Sequence, residues 1–113
     1  MDEFHLITFK TDSGKEPFTE WMLRLDGVIR NRVLARILRV QTGYFGDYKF
    51  LDEGIFELKL CFGSGYRIYF GKDDGAKTII ILLCGGNKGT QRKDIEKAKQ
   101  YWRQHNERKT KAN

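Results

Sequence analysis

Apolar residues recur at every second position through Phe56, Leu58, Leu60 and Phe62, and again through Tyr66, Ile68 and Phe70. Period two marks half-buried strands, and Gly63-Ser64-Gly65 between the two runs reads as a hairpin loop. A three-residue loop would set Phe62 opposite Tyr66, Leu60 opposite Ile68, Lys59 opposite Tyr69 and Cys61 opposite Arg67. One hairpin face is then apolar, and the other carries Glu57, Lys59, Arg67 and Tyr69. Lys59 and Arg67 become diagonal neighbours, about 7–8 Å apart in the backbone, a gap that suits a phosphate held between two cations.

The same reading places the other elements. FHLITF (residues 4–9) is an opening strand. Pro17 suits a helix's first position, and Phe18, Trp21, Met22 and Leu25 form one apolar stripe that ends at Asp26-Gly27. A second helix runs from about Val28 to Thr42 with Ile29, Val33, Ile37 and Val40 inward, and Gly43 as its cap. A short strand is expected around Tyr48–Leu51, and Asp73-Asp74-Gly75 is a turn. Thr78 to Cys84 is apolar on both parities, so it should be a central strand covered on both faces. After the loop Gly85-Gly86-Asn87-Lys88-Gly89, Thr90 is expected to cap a last helix. Its stripe is Ile95, Ala98, Trp102 and His105, and Lys109–Asn113 is a polar tail.

Short turns make consecutive strands antiparallel. The expected fold is therefore α+β: a small antiparallel sheet with two N-terminal helices and a C-terminal helix packed on one face. One domain (1–108) followed by the tail (109–113) accounts for all 113 residues. The start, Met1-Asp2-Glu3, is acidic where a secretory segment would be basic, and the longest apolar run, Ile79 to Cys84, is too short to span a bilayer. Two cysteines without a CxxC spacing suggest neither a disulfide framework nor a zinc site. A cytoplasmic protein with reduced Cys61 and Cys84 is expected.

Charge adds a direction. Lys plus Arg number 21 against 15 acids, a net charge of +6, and a small basic domain is biased toward polyanions. Mild basicity is also common in domains with no such partner. Four arginines and no acid lie between residues 30 and 40: Arg30, Arg32, Arg36 and Arg39. They form either a solvated helix face or a phosphate-tracking patch. His5 and His105 have no metal-ligand spacing, Ser64 has no adjacent base, and GGNKGT lacks the P-loop pattern. No metal or cofactor is expected. Its glycines and Lys88 still offer anion-binding groups at a helix start.

Cations, tyrosines and backbone donors are sufficient for metal-free RNA cleavage, because the substrate's 2′-hydroxyl is the nucleophile. The protein must supply a base, donors for the charge that builds on phosphorus, and an acid for the leaving oxygen. Arg67 suits charge stabilisation. Lys59 suits an orienting cation, or a base if neighbouring charge lowers its pKa. Tyr69 suits stacking on a splayed-out base. The competing reading pairs Glu57 with Lys59 or Arg67 as ordinary surface ion pairs.

GIFELKLCFGSGYRIYF followed by IIILLCGGNKGTQRKDIEKAK resembles the addiction-module killer proteins, HigB-like members of the RelE/ParE toxin superfamily. The shared pattern is an ElRi strand, a GxGYRxYf hairpin, LLxGGxK and TQxxDIxxA, with Trp21, the Arg-rich helix and Gly46-Asp47 upstream. The resemblance implies a curved antiparallel RelE-like sheet and a partner antitoxin, commonly one with a helix-turn-helix domain. Many relatives are ribosome-dependent mRNA endonucleases, whereas ParE-branch relatives poison DNA gyrase. A catalytically inactive nucleic-acid-binding module is a third possibility. Carried over by position, Arg67 matches the motif arginine and Tyr69 its aromatic, while Lys88 and Gln91 match GGxKxTQ. Lys59 stands where arginine is more frequent, so the charge is kept without the bidentate fork. Phe45 stands where asparagine often precedes Gly-Asp. The expectation is a toxin that blocks translation by cutting mRNA on the ribosome. Arg67, Lys59 and Lys88 would be catalytic, and Tyr69, Gln91, Arg32, Arg36 and Arg39 would contact RNA. Arg67→Ala should then abolish growth arrest while leaving the fold and antitoxin binding largely intact.

Overall fold

In the computed structural model, which describes residues 4–112, β1 (His5–Thr8) leads into α1 (Pro17–Arg24) and α2 (Gly27–Gln41). Then follow β2 (Tyr48–Phe50), β3 (Ile55–Lys59), β4 (Arg67–Asp74) and β5 (Thr78–Gly86). A single 3₁₀ turn, Lys88–Thr90, opens α3 (Gln91–Ala112). Met1-Asp2-Glu3 and Asn113 lie outside the described residues. The class is α+β, with one five-stranded sheet in the order β1-β5-β4-β3-β2.

Two expectations are corrected. The sheet is mixed rather than antiparallel, because β1 pairs parallel to β5, with His5 beside Ile79 and Thr8 beside Leu82. The helices also do not share one face. Ile80 and Leu82 point into a core with Phe18, Trp21, Val33, Ile37 and Val40 of α1 and α2. Ile81 and Leu83 point into a second core with Ala98 and Trp102 of α3. This two-sided burial is why β5 reads as an unbroken apolar run. β5 is an interior strand between β1 and β4, covered on both faces as its sequence predicts, while β4 is the middle strand of the five.

Two glycines set how closely the helices approach. A Cβ on Gly85 would collide with the Trp21 ring, and one on Gly71 with the Trp102 ring. Each tryptophan therefore lies flat over a strand that presents no side chain beneath it.

The helix ends follow local chemistry. Asp26 caps α2 by accepting from Val28 N (3.1 Å). Gly43 takes φ +92°, its N–H bonding to Val40 O (2.8 Å) while Tyr44 N reaches Arg39 O (3.0 Å). Arg30 is a structural residue: its guanidinium donates to the carbonyls of Met22, Leu23 and Leu25 at the end of α1. Asn87 rather than Thr90 opens the last helical segment. Asn87 and Thr90 form a reciprocal capping box across the 3₁₀ turn, and Thr90 Oγ1 donates to Asp94 in the first turn of α3. α3 continues through Lys109 to Ala112, into the segment expected to be a tail. Lys109 Nζ lies 2.7 Å from Asp73 Oδ1, and Asp73 belongs to β4 rather than to a turn.

Candidate functional site

The site is built on the β3–β4 hairpin. Its register differs from the expectation by two residues: Lys59 faces Arg67, Glu57 faces Tyr69 and Leu58 faces Ile68. Leu60 N donates to Tyr66 O (2.9 Å), so the loop is the wider segment 61–65, with Gly63 at φ +61° and Gly65 at φ +75°. An even slip preserves the faces, so Glu57, Lys59, Arg67 and Tyr69 do lie on one side. Lys59 and Arg67 are direct rather than diagonal neighbours.

That side is not open to solvent along its length, because α3 lies across it. Tyr69 is fully buried and its hydroxyl donates to Glu57 Oε2 (3.0 Å). Burial and the adjacent Glu57 carboxylate push its pKa far above the phenol range. Tyr69 therefore offers no ring to a nucleobase, which corrects its expected stacking role. Its work is to hold Glu57.

Glu57 is the residue that the sequence reading placed only as an ion-pair partner. It is 3% exposed and forms the floor of a depression of about 200 Å³. Oε2 accepts from Tyr69 and from Gln91 Nε2 (2.8 Å), with Arg67 Nε 3.7 Å away. Oε1 faces Lys49 Nζ at 3.9 Å. Arg67 is 7% exposed, its Nη1 donates to Gly65 O (2.7 Å), and its Nε has no hydrogen-bond partner among the described residues. A buried guanidinium with an unused donor carries a desolvation cost that a bound anion would relieve. Lys59 and Lys49 are exposed on the rim, and Asp47, Tyr48 and Gln91 complete the wall. The pair of Lys59 and Arg67 is thus a rim ammonium over a seated guanidinium, not two free surface cations.

Lys88 is exposed in the 3₁₀ turn beside Gly65. It borders the loop that Arg67 bonds, but it does not line the depression.

A second, larger groove of about 450 Å³ adjoins the first. It runs between α2 and the segments around Tyr44–Asp47 and Lys59–Phe62, and it contains Arg32, Arg36 and Arg39. Asp47 and Lys59 line both cavities. The helix arginines and the hairpin cations, distant in sequence, therefore form one basic surface. Arg32 lies 4.0 Å over the Phe62 ring and Arg39 4.7 Å over Tyr44. Arg36 is half committed to the fold: Nη2 donates to Phe45 O (2.8 Å), and Nη1 is buried without a hydrogen-bond partner among the described residues. Desolvation, followed by repulsion from Arg39, lowers its pKa. Phe45 itself is a core residue stacked on Phe70. Arg30 lies outside the groove.

Lys49, Asp47, Tyr48, Glu57, Tyr44 and Phe62 are among the lining residues that sequence reasoning missed as site members. Strand alternation already put Glu57 on the correct face. Lys49 and Asp47 arrive only because β2 pairs with β3, Lys49 opposite Glu57.

Among the described residues no group of three or more His, Cys, Asp or Glu side chains is placed to hold a metal ion, and no helix is long and apolar enough to cross a membrane. Both cysteines are free thiols. Burial pushes the Cys84 thiol up to about 12, and Cys61 is exposed beside the arginine groove.

No protein-family model matches the chain. It is 46% identical over 83 residues to an uncharacterised protein of Haemophilus influenzae, an alignment covering 73% of this chain and 82% of that protein. At that identity and coverage, the chain belongs to the same family as the Haemophilus influenzae protein.

Proposed function

We propose that this protein is a RelE-like toxin of a type II toxin–antitoxin module: a metal-independent endoribonuclease that cuts mRNA on the ribosome and acts in the cytoplasm. The observation that carries the reading is the seated Arg67, with an unused Nε, directly opposite Lys59 across a β-ribbon and open to a depression lined by further cations. The resemblance of the GxGYRxYf and GGxKxTQ segments to the killer proteins supports it independently.

In this reading a phosphodiester enters the depression with one non-bridging oxygen toward Arg67 and another toward Lys59. The substrate's 2′-oxygen attacks phosphorus, its proton leaves to a base, and the 5′-oxygen departs as it is protonated. Arg67 and Lys59 hold the charge that develops on phosphorus. Glu57 Oε1, which accepts no hydrogen bond among the described residues, is the group placed at the depression to take that proton, and the Lys59 ammonium on its rim is the one placed to give a proton to the departing 5′-oxygen. Glu57 and Gln91 position Arg67, and Lys88 draws the departing strand. The arginines of the adjoining groove grip ribosomal RNA or the flanking message. A cognate antitoxin, expected to carry a helix-turn-helix domain, would neutralise the protein.

The test is to induce the protein without its partner and map transcript 5′ ends. New ends within coding regions, absent with Arg67→Lys and with Lys59→Gln, are expected. Arg67→Lys keeps the charge and removes the fork. Intact transcripts accompanied by DNA breaks would instead indicate a gyrase-directed toxin. Intact transcripts with no growth arrest would leave a nucleic-acid-binding module.

A further inference from the structure

Among the described residues Asp47 is the only acid lining the larger groove, where it sits with Arg32, Arg36, Arg39 and Lys59. Among the described residues its carboxylate lies in no ion pair and accepts no hydrogen bond, although cations surround it. An acid placed only to balance those charges would close on one of them. Its backbone is fixed, because Lys59 N donates to Asp47 O (2.9 Å) and Gly46 before it takes φ +70°. The carboxylate is therefore held at the boundary of the two cavities, next to the expected phosphate position.

The groove has the other parts of a base-binding site. Tyr44 is a widely exposed ring, and Phe62 is a half-buried one. Guanidinium planes lie over both. Single-stranded RNA bases bind by stacking on such rings and guanidinium planes while their Watson–Crick edges are read by hydrogen bonds. A volume near 450 Å³ falls in the usual range for small-ligand pockets, roughly 300–1,000 Å³.

We propose that the groove between α2 and the Tyr44–Asp47 segment is a nucleobase site that selects guanine through Asp47. A carboxylate is acceptor-only with two oxygens. Guanine alone presents two adjacent donors on its Watson–Crick edge, N1–H and N2–H, which match those oxygens. Adenine and cytosine set a ring-nitrogen acceptor beside their amino group, facing the second oxygen. Uracil flanks a single N–H with two carbonyls. The proposal rests on reading the adjoining depression as a phosphodiester site, since Lys59 and Asp47, shared by both cavities, would then hold a phosphate and its neighbouring base.

The experiment measures binding of the four nucleoside 3′-monophosphates to the purified protein and to Asp47→Asn, followed by Tyr and Trp fluorescence. Guanosine 3′-monophosphate should bind the wild type about tenfold tighter than the other three. Asp47→Asn should lose that preference and bind the others at least as well, because an anion has been removed. The variant's melting temperature should match the wild type's, as Asp47 makes no side-chain contact that the fold requires. Equal binding of all four nucleotides, no binding, or a guanine preference unchanged in Asp47→Asn would overturn the proposal. The transcript map separates the two readings. Cleavage without guanine at a fixed position beside the cut removes this inference and leaves the nuclease. Guanine-selective binding without cleavage removes the nuclease and leaves the base site.

Discussion

Arg67 and Glu57 are both buried, and each depends on the other less than a simple ion pair would require. Glu57 keeps two neutral donors, Tyr69 and Gln91, if Arg67 is removed. Arg67 lies 3.7 Å from the carboxylate, beyond hydrogen-bond length, and is bonded to Gly65 O. Arg67→Ala is therefore not the neutral probe that the sequence suggests. Breaking a buried pair costs about 3–5 kcal/mol when the remaining charge is left bare. With Tyr69 and Gln91 still in place we expect about 1–3 kcal/mol, read by urea unfolding, together with complete loss of growth arrest. Glu57→Gln added to Arg67→Ala should recover part of the stability and none of the activity. Sequence legibility at this scale was uneven. Alternation placed Glu57, Arg67 and Tyr69 on one face correctly. It could not show that α3 covers that face, because the charged residues there look like a solvent-facing set. Tyr69 was misread for this reason: a buried tyrosine with a carboxylate partner and an exposed stacking tyrosine have the same letter and the same parity.

At the scale of elements, α3 is tied to the sheet at both ends by different means. Near its start Asp94 packs over Gly86 and takes a bond from Thr90. Near its end Lys109 and His105 converge on Asp73 of β4. Lys109 holds the Asp73 carboxyl below its usual range, with His105 adding to the effect and partial burial opposing it. The charged form is thus favoured by folding. Its stabilisation is present above the unfolded value, about 3.9, and is lost as pH falls through the folded value. Asp73→Asn should lower stability at pH 7 by about 0.5–1 kcal/mol, and the gap to the wild type should narrow as pH falls below the unfolded value and through the lowered folded one. Thermal melts from pH 7 to pH 2 check this. Most element boundaries were legible, since α1 and α2 follow strong helical periods and β5 is an unbroken apolar run. The hairpin register was not. Gly63-Ser64-Gly65 looks like a complete three-residue loop, yet Cys61 and Phe62 also leave the ladder, and the Gly65 N–H donates to Phe62 O (3.3 Å) within the loop. A slip by two keeps every side chain on its face, so the error moved partners without changing which residues gather.

For the whole molecule, the net charge of +6 becomes informative once its distribution is seen. Arg32, Arg39, Lys59 and Arg67 border two joined cavities, while Arg30 is spent on the carbonyls of α1. Single-stranded nucleic acid binding loses about 0.7 in log–log salt slope per phosphate contact removed. Arg32→Gln with Arg39→Gln should flatten the slope for a short RNA by about 1.4 units. Arg30→Gln should leave the slope unchanged and lower the melting temperature, because it uncaps α1. A salt titration of oligonucleotide binding distinguishes the two classes. The joining of the cavities was illegible in the sequence, since it depends on β2 reaching β3 and on α2 lying beside the hairpin loop. The parallel pairing of β1 was hidden for a similar reason: nothing local to residues 5–8 specifies a partner at residues 79–82. That pairing also orders assembly. β3, β4 and β5 are successive strands linked by short turns and can zip together early, whereas β1 must wait for the segment synthesised far behind it. The first strand made is therefore a late seam in folding, and until it closes, one border of β5 stays unpaired and available to another chain.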